Sequence, residues 1–60
     1  MSDNDFILEF ISMGNTVKVT CIDPVTGREV STLGPAKAPR SQLSKAAVNK
    51  MLYVLKKEQS

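Results

Sequence analysis

Two turn signals, Gly14-Asn15 and Asp23-Pro24-Val25-Thr26-Gly27, divide residues 6 to 33 into three short runs in which apolar residues recur at every second position. Alternation and turn chemistry are independent signals. Here both demand the same strand register, which confines the segment to a β-meander. Gly14 and Asn15 suit the positive φ of a two-residue hairpin turn and set Met13 opposite Thr16. Counting outward pairs Phe10 with Val19 and Leu8 with Cys21. Facing residues point to one side of a sheet, so Phe6, Leu8, Phe10, Val17, Val19 and Cys21 share a surface, the expected core face. In the second turn Asp23 can accept local backbone hydrogen bonds, Pro24 pre-sets its own φ, and Gly27 supplies a left-handed residue before Arg28. That loop pairs Asp23 with Arg28, Cys21 with Val30 and Val19 with Thr32. Val30 thereby joins the core face, and the two hairpins agree.

The strands are expected at about 6–13, 16–22 and 28–33. Residues 34–40 read as a crossover loop, because Pro35 and Pro39 lack amide donors and Gly34 weakens a strand. Ser41 is a suitable helix N-cap, and beyond it Leu43, Ala47, Val48, Met51, Leu52 and Leu55 form one apolar stripe at helical spacing. A helix over about 42–57 would be ~24 Å long, comparable to a seven-residue strand, so one helix can cover one sheet face. Lys56 and Lys57 fall in its last turn, where cations complement the helix dipole. Tyr53 is expected half-buried at the border of the stripe.

The predicted architecture is therefore α+β: a three-stranded antiparallel β-meander, order 1-2-3, with one C-terminal helix packed on one face. Residues 6–57 form a single small domain between flexible ends at 1–5 and 58–60. The expected core is Phe6, Leu8, Phe10, Val17, Val19, Cys21, Val30, Leu43, Ala47, Val48, Met51, Leu52 and Leu55. Replacing Phe10 or Leu52 by Ala is expected to cost ~2 to 5 kcal/mol, a large fraction of the stability of so small a domain.

Several functions are excluded by what is missing. Sixty residues make one small domain, and such a chain buries only about 60% of its unfolded surface. With 42% hydrophobic and 23% charged residues the chain has a core to build and is not disordered as a whole. One cysteine and no histidine rule out an internal disulfide and the usual Cys/His zinc site, so a reducing cytoplasm is the expected location. The acidic start, Met1 to Asp5, and Glu9 within the following apolar run match neither a secretory signal nor a membrane span. Gly14, Gly27 and Gly34 lie too far apart for a phosphate-cradling loop. Cys21 has no histidine to activate it and its register sends it into the core, where cysteine behaves as a small hydrophobe. Glu9 and Glu29, ~10 Å apart on the two edge strands, suit neither a carboxylate dyad nor a metal pair. Charges there commonly guard sheet edges instead. The expectation is a non-enzyme with no catalytic, cofactor-binding or metal-binding residue and no cofactor.

Charge is divided unevenly. Residues 1–33 carry two bases, Lys18 and Arg28, against five acids, a net of −3, while residues 34–60 carry six bases against Glu58 alone, a net of +5. The acidic sheet half and basic helix half attract one another, and a basic helix face with Arg40, Lys45 and Lys56 can attract an anionic partner. The helix-free sheet face displays Ile7, Glu9, Ile11, Lys18, Ile22 and Leu33, with Ile7 opposite Ile22 and Lys18 flanked by Ile11 and Leu33. A solvated sheet face needs few such residues, although β-propensity alone also favours Ile in strands. These six residues are the candidate interaction surface. The expected activity is protein interaction or self-assembly, with an unknown protein or a second copy of the chain as partner and no membrane. The alternative is nucleic-acid binding, which rests on the analogy of a three-stranded sheet backed by a helix and has few stacking aromatics to support it.

The run from Gly14 to Ser31, then Gly34-Pro35, resembles a family of short uncharacterised bacterial proteins, and the likeness continues through Leu43, Ala47, Val48, Lys50 and Leu52. The resemblance implies no established activity and no functional residues. Enzyme names such as serine hydroxymethyltransferase, inherited by some relatives, do not fit this chain alone, since enclosing pyridoxal phosphate takes a much larger fold.

Overall fold

The computed structural model describes residues 6–59. The expected flexible N-terminus, 1–5, lies outside the described residues, as does Ser60. Three strands, β1 (Ile7–Met13), β2 (Thr16–Ile22) and β3 (Glu29–Pro35), precede one helix, α1 (Arg40–Gln59). The sheet is antiparallel in the order β1-β2-β3. The fold is the α+β meander with a C-terminal helix that the turns and alternation imply.

Both turns set the registers read from sequence. Met13 faces Thr16, Phe10 faces Val19 and Leu8 faces Cys21, while Cys21 faces Val30 and Val19 faces Thr32. Gly14 and Gly27 hold φ of 65° and 78°, a region that side chains strain to enter. Asn15, expected there as well, keeps a negative φ, because Gly14 alone supplies the left-handed residue of the turn. The second turn is tied internally. Asp23 Oδ1 accepts from the Val25 N–H at 3.0 Å and Oδ2 from the Thr26 hydroxyl at 3.0 Å. The backbone N–H of Asp23 donates to the Arg28 carbonyl at 2.9 Å. These bonds explain how a carboxylate sits 1% exposed without an unpaired oxygen.

The strand and loop boundaries depart from expectation at 34–40. Gly34 and Pro35 belong to β3, facing Val17 and Thr16. Inward and outward backbone groups alternate along an edge strand, and Arg28 and Ala36 both bond inward, the latter through its N–H to the Asn15 carbonyl at 2.8 Å. Pro35 therefore turns its nitrogen to the open edge, where a missing donor costs nothing. Gly34 lies on the core face beneath α1, and a Cβ there would run into the Leu43 side chain. Glycine here leaves room for the Leu43 side chain of the helix, and it does not mark a bend in the chain.

The helix begins earlier than Ser41 allows. The Pro39 carbonyl accepts from the Gln42 and Leu43 N–H groups at 3.0 and 3.1 Å, so Pro39 is the capping position and Ser41 lies exposed in the first turn. At the other end no Gly or Pro intervenes, and the helix continues through residue 59, taking in two of the residues expected to be flexible.

Phe6, Val19, Cys21, Leu43, Ala47, Val48 and Met51 form the buried core, with Leu8, Phe10, Val17, Val30, Ala38 and Leu55 packed around it. Leu52 was expected among them and is 42% exposed. The helix rests chiefly on β2 and β3. A residue next to buried Met51 is swung about 100° around the axis, and on this off-centre helix that turns Leu52 away from the sheet.

Candidate functional site

The meander leaves one sheet face without a helix. Period-two alternation puts Ile7, Glu9, Ile11 and Met13 of β1, Thr16, Lys18, Thr20 and Ile22 of β2, and Glu29, Ser31 and Leu33 of β3 on it. Ile7 pairs directly with Ile22, and Ile11, Lys18 and Leu33 form a row across the three strands. Thus the six residues of the candidate surface, Ile7, Glu9, Ile11, Lys18, Ile22 and Leu33, do share one face. Ile7, Ile11, Met13 and Leu33 are 51%, 47%, 51% and 69% exposed, whereas Lys18 and Ile22 are half-buried between neighbours. Thr20, on the central strand between Glu9 and Ser31, is buried at the middle of the face.

Toward β3 this face holds an open concavity of about 510 Å³ lined by Met13, Lys18, Ser31, Thr32, Leu33 and Lys50. Lys50 belongs to α1, yet it reaches the edge of β3, where its Nζ donates to the Ser31 carbonyl at 2.7 Å. Two lysines, one from the sheet and one from the helix, therefore line a recess together with apolar Met13 and Leu33. The arrangement suits an amphipathic protein surface, with aliphatic area for Ile11, Met13 and Leu33 to cover and acceptors for the two lysines. Alternation already places Met13 on this face. Nothing in the linear pattern announces Lys50, whose partner lies 19 residues away.

The basic helix face is not brought together. The Arg40 guanidinium lies 4.8 Å from the centre of the Phe10 ring, on the core side of β1. Lys45 and Lys56 are exposed, but eleven residues separate them, about three helical turns or ~16 Å. Among the described residues the ion pair is Arg28 with Glu58, which reverses the expected pattern: the base comes from the sheet half and the acid from the helix half. Tyr53, expected half-buried, is 63% exposed, with the Lys57 ammonium 5.7 Å from its ring centre. Cys21 is buried at the core. Among the described residues no three His, Cys, Asp or Glu side chains are grouped to hold a metal ion, and no helix is long and apolar enough to cross a membrane.

Fold and surface define a small α+β domain with one face under a helix and one amphipathic face bare. The chain belongs to the family described as Domain of unknown function (DUF6898), whose model matches residues 3–58. No curated protein and no solved structure matches it.

Proposed function

We propose that this protein is a small non-enzymatic interaction or self-assembly module of the bacterial cytoplasm, working through its helix-free sheet face or a strand edge. The observation that carries this reading is the exposure of Ile7, Ile11, Met13 and Leu33 on one face, with Ile11 and Leu33 flanking Lys18. Covering half-exposed aliphatic side chains of this size contributes on the order of 1 kcal/mol each toward such a contact. The absence of histidine and the burial of the single cysteine support the non-enzymatic part.

The test is affinity capture from a native bacterial lysate, comparing the wild-type chain with Ile11→Lys and Leu33→Lys variants that stay folded by circular dichroism. Loss of a specific partner from both variants supports the sheet face. An unchanged partner set overturns it. A gel shift with duplex DNA or RNA that weakens with salt would favour the nucleic-acid alternative instead.

A further inference from the structure

The two edges of the sheet are finished differently. On β3 the outward backbone groups belong to Glu29, Ser31, Leu33 and Pro35, because their neighbours Arg28 and Ala36 bond inward. That edge is blocked: Pro35 offers no donor, and Lys50 occupies the Ser31 carbonyl. On β2 the odd residues serve β3, so the even residues serve β1, and the groups left facing outward on β1 are those of Leu8, Phe10 and Ser12. Among the described residues no proline, no side-chain hydrogen bond and no strand covers them. The helix rests chiefly on β2 and β3, which leaves Leu8 and Phe10 half-buried at this edge.

We propose that two copies of this chain pair antiparallel along β1, about a two-fold axis through Phe10, to form one continuous six-stranded sheet. The proposal rests on the reading of the chain as an interaction module and names its partner as a second copy. Self-complementarity selects that occupant and that register. Phe10 is the centre of Ile7–Met13, so this axis brings the whole strand into the pairing. Leu8 then meets the partner's Ser12, Glu9 the partner's Ile11 and Ile7 the partner's Met13. Shifting the axis to residue 9 would oppose Glu9 to the partner's Glu9, two like charges face to face. Shifting it to residue 11 or beyond would run the strand into the turn. The three facing pairs Leu8–Ser12, Phe10–Phe10 and Ser12–Leu8 exchange two backbone bonds each, about six in all, within the range carried by specific protein interfaces. A two-fold axis normal to the sheet keeps both helices on one side and joins the two bare faces into a single surface.

Sedimentation equilibrium of the full chain from micromolar to millimolar concentration reads the association. Ser12→Pro removes an outward donor on β1 and leaves the β1–β2 ladder intact; it should weaken the dimer roughly tenfold or more, with the circular dichroism spectrum unchanged. Ile11→Lys should retain the dimer, because the new lysine faces the partner's Glu9. A double variant, Glu9→Cys with Ile11→Cys, should oxidise to a covalent dimer. Facing residues of a non-hydrogen-bonded pair lie within disulfide reach, whereas positions two apart on one strand do not bridge. This last readout stands even if Ser12→Pro fails to fold. A chain that stays monomeric at millimolar concentration overturns the proposal, as does a double variant that never cross-links. A dimer that ignores Ser12→Pro and dissolves with Ile11→Lys also overturns it, but leaves the sheet-face reading of function standing.

Discussion

The two faces of this sheet both carry large apolar side chains, and those side chains have opposite fates. On one, Val19 and Cys21 are fully buried beneath Leu43, Ala47 and Met51; on the other, Ile7, Ile11, Met13 and Leu33 remain about half to two-thirds exposed. The aliphatic side chains themselves differ little in hydrophobicity, although only the bare face also carries charge, at Glu9, Lys18 and Glu29. What separates them is a helix that reaches only one side, and the comparison teaches that a strand's alternation assigns side chains to faces without stating how much area each face loses.

The largest test of this contrast is Met51→Ala, at the fully buried centre of the helix–sheet contact. It should cost ~2 to 5 kcal/mol in denaturant unfolding, since the cavity it leaves is closed on all sides. A cost below ~1 kcal/mol would mean that the two faces are packed alike. Gly34→Ala comes next. A Cβ at 34 collides with Leu43, and overpacking of this kind costs ~1 to 3 kcal/mol, partly offset by the lower backbone entropy of the unfolded chain. In a Leu43→Ala background the same change should become neutral or stabilising, and a double-mutant cycle that shows no coupling would break the account of helix approach. The smallest effects belong to Leu52→Ala and Ile11→Ala, each expected within ~1 kcal/mol of wild type by thermal unfolding because half of each side chain is already in water. A loss at Leu52 as large as that at Met51 would restore it to the core and place the helix centrally over the sheet.

Much of the fold was legible along the chain. Gly14-Asn15 and the Asp23–Gly27 turn dictated both registers, and every facing pair deduced from them is present. The errors share a cause. Gly34 and Pro35 look like strand breakers when read locally, yet each fits β3 because of what surrounds it: the helix presses on Gly34, and Pro35 has no neighbouring strand on its nitrogen side. Ser41 is the better capping side chain, but the turn closed by the Ala38 N–H on the Pro35 carbonyl delivers Pro39 to the helix start first. Of the candidate surface, the six sheet residues follow from alternation alone. Lys50 does not, because its contact depends on how the helix lies across the edge.

By itself, then, the sequence determined the number of strands, their pairing, the side of the sheet each residue occupies and the existence of one amphipathic helix. These are consequences of local backbone preferences and period, which act over a few residues. Only the tertiary structure decided where the helix axis falls. Its off-centre seat on β2 and β3 exposes Leu52, sets Leu43 against Gly34, sends Lys50 to the β3 edge and leaves Leu8 and Phe10 half-buried on β1. That choice is made by steric fit between two surfaces brought together by chain folding, and no short-range pattern in the chain encodes it.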